Sequence, residues 1–351
     1  MTLRVLSTRE LNRAVLARQL LLERAALSPE QALEQAAGLQ TQYAPSGYVG
    51  LWSRLAGFRR HALTEALLAG RVVQAWVMRC TIHMVASADY WPFTEAVRAA
   101  RREWWRRAHR HVGEVDMAAV AAVVRGHLAD GPLKQAEIQK RLVVDGHPRE
   151  VWPGVQLWVD MVRMPPAGTW STPRAHVYGL AEHAVPVPEP APTEERAMEL
   201  LAARYLRGFG PASAADIASF CGWSVTATRA VLARMQLCRY RAETGGELVD
   251  VAGAPLPPAD TPAPVRFLGQ WDSNLLVHAR RAQILPEEHR PRVFARNIPQ
   301  SVPTFLVDGQ VAGIWRYVDG VVRCEPFHPL PSGVGREVQA EAARLAAFHE
   351  E

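Results

Sequence analysis

Apolar positions along the chain alternate between helical spacing and short runs typical of strands. The same order of predicted helices and strands occurs three times. Leu11, Val15 and Leu20 keep one helix face apolar after a capping-box pattern that begins at Ser7. The predicted helices are 7–20, 28–38, 61–68, 116–130, one from 131, 155–162, 193–207, one from 210, 224–235 and 335–349. The predicted strands are 72–85, two that flank 165–168, 237–241 and 248–251. Helices followed by a pair of strands are the order of a winged helix.

A repeated motif and two proline-rich linkers divide the chain. Segments 131–138 and 210–217 share the pattern Gly-Pro-x-x-x-Ala-acid-Ile, and their spacing is too long for one solenoid unit. We therefore predict an α+β, helix-rich fold. It contains three tandem winged-helix modules over 1–115, 116–186 and 193–264, then a β-rich C-terminal region with a final helix over 265–351.

Composition excludes several classes of protein. Of 351 residues, 48% are hydrophobic and 21% are charged, as in ordinary globular domains. No apolar run approaches the ~20 residues needed to span a bilayer, and the first residues lack a secretory pattern. We expect a cytoplasmic, nucleoid-associated protein without a membrane partner. The cysteines form no CxxC pair, and GxxxxGK[ST], HExxH and GxSxG motifs are absent.

The basic residues are unusual in kind. The net charge is only +5, but Lys134 and Lys140 are the sole lysines and the other 38 basic residues are arginines. Arginine binds phosphate in a bidentate way and suits nucleic acid. Codon bias in a GC-rich genome explains the same excess, so composition alone does not establish DNA binding.

Gln40 and Gln42 are the first candidate for chemistry. Residues two apart point apart on a helix but share a face in extended chain. Gly38 before them and Pro45 after them favour a helix that has just ended, so both amides could reach one site. The alternative is a pair of ordinary surface or capping glutamines.

A second candidate is the segment that contains Arg79, Thr81 and His83. In extended chain these three side chains line one face, and a basic, hydroxyl-bearing strand beside a helix–turn–helix can contact phosphate. Alternatively, His83 is a strand histidine that is satisfied by its neighbours.

The segment 98–111 interleaves arginines with aromatic residues, a composition that can track a phosphate backbone. We expect Arg101 and Arg102 to contact DNA there, and the two tryptophans to pack inward. In the C-terminal region, Asp272 and His278 invite a general-base interpretation. No nucleophile is obviously placed with them, and a structural hydrogen-bond network is the alternative. Arg280 and Arg281 follow as further candidate DNA contacts.

Several segments, taken in order, resemble a known family. They are Gly38-Leu39-Gln40-Thr41-Gln42, Tyr48-Val49-Gly50-Leu51-Trp52, Arg79-x-Thr81-x-His83, Trp271-Asp272, Ile284-Leu285-Pro286, Pro303 to Gly309 and Gly313-Ile314-Trp315-Arg316. Each is weak alone, but the ordered set, from about residue 5 to about residue 330, resembles the winged-helix DNA glycosylases of the AlkZ-like family.

The resemblance implies three tandem winged helices around a concave DNA channel. It also implies hydrolysis of the N-glycosidic bond of alkylated purines, chiefly cationic N7-alkylguanine, and a C-terminal hairpin that probes the minor groove. The family's catalytic Gln-x-Gln falls on Gln40 and Gln42. A related branch carries aspartate at the second position, so this chain looks like the crosslink-unhooking branch. Thr41 stands where an aliphatic residue is usual.

The implied chemistry needs neither metal nor cofactor. A cationic base departs without protonation, so a neutral amide that positions water against C1′ suffices. We expect a monofunctional glycosylase, acting as a monomer on double-stranded DNA with alkylated or crosslinked purines, in base-excision repair or genotoxin self-resistance. The alternative is a non-enzymatic DNA-binding protein, either a regulator or a lesion-binding resistance protein, because winged helices are most often binding modules.

Overall fold

The computed structural model describes residues 3–110, 115–276, 282–294 and 301–351. Within them, the order helix, short strand, two helices and two antiparallel strands occurs three times. We call the three sets modules 1, 2 and 3. Module 1, preceded by β1 (Val5–Leu6) and α1 (Thr8–Arg18), contains α2 (Pro29–Gln35), β2 (Leu39–Gln40), α3 (Pro45–Arg54), α4 (Arg60–Leu68), β3 (Val72–Trp76) and β4 (Ile82–Ala86). The fold is α+β and rich in helix, as predicted.

The long helix α5 (Ser87–Ala108) leads from module 1 to module 2. Module 2 contains α6 (Met117–Leu128), β5 (Leu133–Lys134), α7 (Gln135–Val144), α8 (Trp152–Val155), β6 (Met161–Arg163) and β7 (Val177–Leu180). Module 3 contains α9 (Glu194–Phe209), a bridge at Ala212, α10 (Ala214–Cys221), α11 (Val225–Arg234), β8 (Cys238–Ala242) and β9 (Glu247–Asp250). In modules 2 and 3, the Gly-Pro motif supplies the short pairing segment and starts the helix that follows.

Local sequence explains where several helices begin. Ser7, Ser28 and Ser213 each accept a hydrogen bond from the backbone three residues on, and the side chain at that position bonds back. These reciprocal bonds satisfy amide groups that have no partner within the helix. The boxes at Ser7 and Ser28 confirm the starts predicted for α1 and α2.

One sheet runs through modules 1 and 2. Its six strands lie in the order β2-β4-β3-β6-β7-β5. The junction between the modules is the antiparallel pairing of β3 with β6, in which Ala75 lies opposite Val162. The strand pairs of the two modules are therefore joined by backbone hydrogen bonds.

Module 3 is joined to the elements that precede and follow module 1 in the chain. β1 pairs in parallel with β8, and α5 packs along α9 in the largest apolar cluster. The guanidinium of Arg18, at the end of α1, donates to both carboxylate oxygens of Asp250 at 2.8 and 2.7 Å, and both side chains are buried. Contacts between several elements thus fix the part of the molecule that contains the short strand β2.

The C-terminal region forms an antiparallel sheet of β10 (Arg266–Leu268), β11 (Thr304–Val307), β12 (Gln310–Val318) and β13 (Val321–Pro326). Two-residue turns at 308–309 and 319–320 connect its last three strands, as the Asp-Gly pairs predict. Two short helices, α12 (Ser273–Leu276) and α13 (Arg290–Val293), precede β11, and α14 (Ser332–Glu350) covers the sheet. α14 also completes the core of module 1 through Leu345 and Phe348.

Some of the predicted helices differ from the structure. The helix predicted over 155–162 is wrong, because α8 ends at Val155 and Val162 lies in β6 opposite Ala75. A buried turn followed by a buried strand imitates helical spacing here, because Val155, Trp158, Val159 and Val162 fall at i, i+3, i+4 and i+7. The helix α3 was not expected from the sequence. None of the described helices has the length and apolarity needed to cross a membrane.

Candidate active site

Gln40 ends the short strand β2, at the edge of the six-stranded sheet. It lies directly opposite His83 in the antiparallel pairing of β2 with β4, so the two side chains share a face. The residue is only 8% exposed. The extended conformation expected after Gly38 is therefore present at Leu39–Gln40, and it places an amide group beside a histidine.

Arg79 organises this face of the sheet. Its guanidinium Nη2 donates to Gln40 Oε1 at 2.9 Å and contacts His83 Nε2 at 3.2 Å. Its Nη1 donates to the carbonyl of Phe220 in α10 of module 3 at 3.0 Å. One side chain therefore holds the candidate glutamine, the histidine and a neighbouring module together.

The backbone at Arg79 is not the strand that the sequence suggests. Residues 78–80 form a tight turn between β3 and β4, with φ of 51° at Arg79 and 54° at Cys80. Two successive left-handed residues without glycine are uncommon and mark functional or strained segments. The turn directs Arg79 back over the sheet, so it reaches His83 by a route different from the alternation that we expected.

His83 is held neutral by its surroundings. Burial and the neighbouring Arg79 guanidinium lower the pKa of His83 to about 3. Its Nδ1 lies 2.9 Å from the carbonyl oxygen of Thr81, so Nδ1 carries the proton and Nε2 accepts from Arg79. Burial lowers the pKa of Arg79 to about 10, which still leaves it charged at neutral pH.

Gln42 is anchored in the same manner as Gln40. Its Oε1 accepts a hydrogen bond from the backbone N–H of Ile82 at 3.1 Å, and the side chain is half-buried. Because Arg79 and the Ile82 N–H are donors, both glutamines must present oxygen to them. Among the described residues, neither amide nitrogen has a hydrogen-bond partner. Each amide therefore has a fixed orientation and a free NH₂ group.

Thr41 lies between the two glutamines and is fully buried. Its hydroxyl has no hydrogen-bond partner among the described residues. A Cβ added to Gly47 of α3 would lie 2.8 Å from its Cγ2. The position is therefore an apolar contact between β2 and α3.

The other predicted DNA contacts separate into different roles. Arg101 is buried and donates to the backbone carbonyl of Trp76 at 2.5 Å. Its guanidinium therefore connects α5 to β3, and its predicted contact with phosphate is not supported. Trp104 of the same helix is 50% exposed, so it does not pack inward as expected. Arg102 donates to the carbonyl of Leu157 at 2.9 Å and stacks on Trp158. Thr81 donates to the carbonyl of Met78 within the turn. Arg280 and Arg281 lie outside the described residues, as does His278.

Comparison with known proteins agrees with this arrangement. The model of the family described as DNA glycosylase AlkZ-like matches residues 33–348. The chain belongs to the AlkZ-like DNA glycosylase family. Members of this family hydrolyse N-glycosyl bonds, so the protein is an enzyme, and the regulator considered from the sequence is not supported.

A sequence comparison and a structure comparison each find a glycosylase of Streptomyces sahachiroi that is similar to this AlkZ-like chain. The sequence relative is named interstrand DNA cross-link repair glycosylase and is 27% identical over 366 residues, which are 94% of this chain and 93% of the relative. The solved structure of the S. sahachiroi DNA glycosylase AlkZ superposes with a TM-score of 0.81 at 21% identity, over 98% of this chain and 97% of that chain. The second likeness establishes the fold.

The motif around Asp272 has a structural role in this AlkZ-like protein. Both carboxylate oxygens of Asp272 accept from Nη2 of Arg54 in α3, at 3.2 and 3.0 Å, and both side chains are buried. Asn274 also donates to Asp272. The hydrogen-bond network considered as the alternative is therefore what the structure contains, and Asp272 is not free to act as a base.

Sequence reasoning missed the contribution of Phe220. It contacts the site through its backbone oxygen and through its ring, which lies 5.4 Å from the Arg79 guanidinium carbon. A backbone acceptor leaves no residue-type signal. Among the described residues, Glu288, His289 and His328 have ligand atoms within 4.8 Å of one another. Two of the three are exposed.

Proposed function

We propose that this protein is a monofunctional DNA glycosylase that hydrolyses the N-glycosidic bond of cationic N7-alkylpurines, including those in interstrand crosslinks. The observation that carries the proposal is the fixed orientation of Gln40 and Gln42, whose carbonyls are anchored and whose NH₂ groups are free. The name of the 27% identical relative, a cross-link repair glycosylase, supports the crosslink part.

In the proposed mechanism, the two glutamines position a water molecule and do not act as strong acids or bases. Each amide oxygen has two lone pairs. One accepts a hydrogen bond from the protein, so the second can accept a hydrogen bond from a water molecule. The NH₂ groups are then free to donate to oxygen atoms of the sugar or phosphate. Held in this way, the water lies against C1′ as the glycosidic bond breaks, and positioning of this kind supplies several kcal/mol.

The chemistry of the site selects a substrate that needs no protonation. Glutamine does not ionise, and the pKa of His83, lowered to about 3 by burial and Arg79, keeps the imidazole neutral. Neither residue can protonate a departing base near pH 7. A purine alkylated at N7 already carries positive charge and leaves as a neutral base, whereas uracil would leave as an anion.

The enzyme is further proposed to have the following DNA partner, oligomeric state, cofactor requirement and biological process. The partner is double-stranded DNA with alkylated or crosslinked purines. It is held in a channel lined by the three winged-helix regions predicted over 1–115, 116–186 and 193–264. The enzyme works as a monomer, and the reaction uses no metal or cofactor. Base-excision repair or protection against a DNA-alkylating toxin is the process it serves.

Base release from duplex DNA that contains N7-methylguanine tests the proposal. We expect Gln40→Ala and Gln42→Ala each to lower the single-turnover rate at least about tenfold, because each removes one of the groups that position water. The double variant should lose little more than the worse single variant, since the two amides hold the same water.

Gln236→Ala is the matched control, because Gln236 is exposed on module 3 and should leave the rate unchanged. The reaction should leave an intact abasic strand, as required of a monofunctional enzyme. Unchanged rates in both single variants would refute the role of the glutamine pair. Release of uracil at a comparable rate would refute the selection of cationic bases.

A further inference from the structure

Two histidines and a glutamate meet in the C-terminal region, where α13 begins and β13 has ended. Glu288 and His289 belong to the tight turn over 287–289, directly before α13. His328 follows shortly after the last residue of β13. Each of these side chains has a possible metal-ligand atom within 4.8 Å of those of the other two. Segments that are distant in sequence therefore bring nitrogen and oxygen donors to one place, which we call the Glu-His-His cluster.

His289 is the fixed member of the Glu-His-His cluster. Its side chain is 10% exposed, and its ring packs on Phe327 with the ring centroids 4.7 Å apart. In the part of the chain that the structure describes, neither of its ring nitrogens makes a hydrogen bond. Nε2 is turned toward the cluster and lies 3.7 Å from Glu288 Oε1. Buried polar groups normally have a partner, so this imidazole is aimed at a position where a ligand would satisfy it.

The other two members can move toward His289. The side chain of Glu288 is 71% exposed, and His328 is exposed as well. The ring centroids of His289 and His328 lie 5.2 Å apart. Two imidazoles on one tetrahedral zinc ion, with Zn–N bonds of ~2.0–2.1 Å, have ring centroids roughly 5 Å apart. The two histidines therefore already have the separation of a zinc-bound pair, and rotation of the exposed glutamate completes the set.

The charges around the cluster are compatible with a cation. Two arginines follow it in the chain, but the guanidinium of Arg292 donates to Glu325 at 3.1 Å. The guanidinium of Arg290 lies over the ring of Phe294, 5.3 Å from its centroid. Glu287 adds a further exposed carboxylate beside the cluster. The carboxylates of this region thus offset the positive charge of the two guanidinium groups.

The donor atoms decide which ion fits. Imidazole nitrogen suits zinc and its neighbours in the first transition row, whereas magnesium and calcium prefer oxygen ligands. Three protein ligands leave a fourth tetrahedral position for water. We propose that Glu288, His289 and His328 bind a zinc ion, which connects the turn before α13 to the end of β13. The ion stabilises the C-terminal region and takes no part in the base release proposed above.

Calorimetric titration with zinc chloride tests the proposal on the full-length protein, freed of any affinity tag and stripped of metal by a chelator. We expect one zinc ion to bind per chain. His328→Ala should weaken binding at least tenfold, and Glu288→Gln should weaken it because an amide carries no charge. Saturating zinc should raise the melting temperature of the wild type and leave that of His328→Ala as it is. Magnesium chloride should give no binding.

His127→Ala is the matched control. His127 Nε2 lies 2.6 Å from Asp145 Oδ2, so it forms another pair of histidine and carboxylate, but the described residues offer that pair no third ligand. This variant should bind zinc as the wild type does. Melting temperatures in chelator identify any variant that has lost its fold. Equal zinc affinity in the wild type and His328→Ala, absence of binding in the wild type, or loss of binding in His127→Ala would each overturn the proposal.

Discussion

Arg79 shows how one residue can act on a reaction without contacting the substrate. Its guanidinium serves three acceptors, in β2, β4 and α10, and a planar fork with several donors is suited to that task. All three partners belong to the protein. We therefore regard Arg79 as a positioning residue for Gln40, in place of the phosphate contact that the sequence suggested.

Replacement of Arg79 by methionine tests this role. The variant keeps an unbranched side chain but loses the donors, so the Gln40 amide can rotate away from its productive orientation. We expect kcat for base release to fall at least about tenfold while KM changes less than threefold. The salt dependence of DNA affinity should be unchanged, because no phosphate contact is lost.

Arg71→Met is the control, because Arg71 is exposed in the same module and has only a surface ion pair with Glu30. A result in which KM rises, kcat is kept and the salt slope of binding falls by about one would instead assign Arg79 to DNA phosphate.

The residue scale also shows what a sequence can and cannot reveal. Gln40 and Gln42 could be found because Gly38 and Pro45 frame an extended segment between helices. The left-handed turn at Arg79 and Cys80 could not, since neither residue is a glycine and only tertiary contacts stabilise such a backbone. Phe220 lies far away in the chain and acts through a group that every residue has.

At the scale of elements, α3 shows why a helix can escape prediction. It contains Gly47 and Gly50, and glycine costs about 1 kcal/mol in a helix relative to alanine. The glycines are needed because the helix packs closely on β2: an added Cβ at Gly47 would lie 2.8 Å from Thr41, and one at Gly50 would lie 3.0 Å from Leu39. The close packing of α3 against the segment that contains Gln40 and Gln42 therefore outweighs the low helix propensity of the two glycines.

Gly47→Ala should consequently slow the enzyme even though it favours helix. The added methyl group meets Thr41 Cγ2 and Met84 Cε, and relief of that contact shifts β2 together with both glutamines. We expect kcat to fall about five- to tenfold, since small misplacements of catalytic groups are costly. Adding Thr41→Ser, which removes Cγ2, should restore most of the lost rate in the same assay.

The matched control is Gly126→Ala in α6, where an added Cβ meets nothing within 4 Å. That variant should gain up to about 1 kcal/mol of stability and keep its activity. If Gly47→Ala behaves in the same way, the close packing of α3 on β2 has no bearing on the site.

At the scale of the whole molecule, the three modules form one connected unit. The β3–β6 pairing joins modules 1 and 2, and the buried Arg18–Asp250 ion pair joins α1 to module 3. The repeated order of elements in the sequence predicts three modules, and their boundaries stay a prediction. Their joining could not be predicted, because edge-strand pairing between modules depends on register and orientation that no local pattern encodes.

In a unit so connected, a single buried histidine affects the stability of the whole. The pKa of His83 is about 3 in the folded protein and about 6.5 in an unfolded chain. Between these values the unfolded state binds a proton that the folded state does not, so stability is full above pH 6.5 and falls as the pH is lowered. The loss attributable to His83 at pH 5 is about 2 kcal/mol.

Urea denaturation at pH 7 and pH 5 measures this effect. His83→Gln should reduce the difference in unfolding free energy between the two pH values by about 2 kcal/mol relative to the wild type. His61→Gln, at an exposed position of α4, should leave that difference as it is. A pH dependence that is identical in all three proteins would mean that folding does not lower the pKa of His83.

The position of α14 has a consequence for how the molecule is made. Phe348 packs against Trp52 and Phe58, with ring centroids 6.0 Å apart in each case. One side of the module 1 core therefore stays uncovered until α14 has been synthesised. At ~5–20 residues per second, roughly 15 to 60 s of translation separate the two sides of that core. During that interval the apolar faces of α3 and α4 emerge from the ribosome uncovered. Module 1, which carries the glutamine pair, is thus the first part to be synthesised and among the last to be completed.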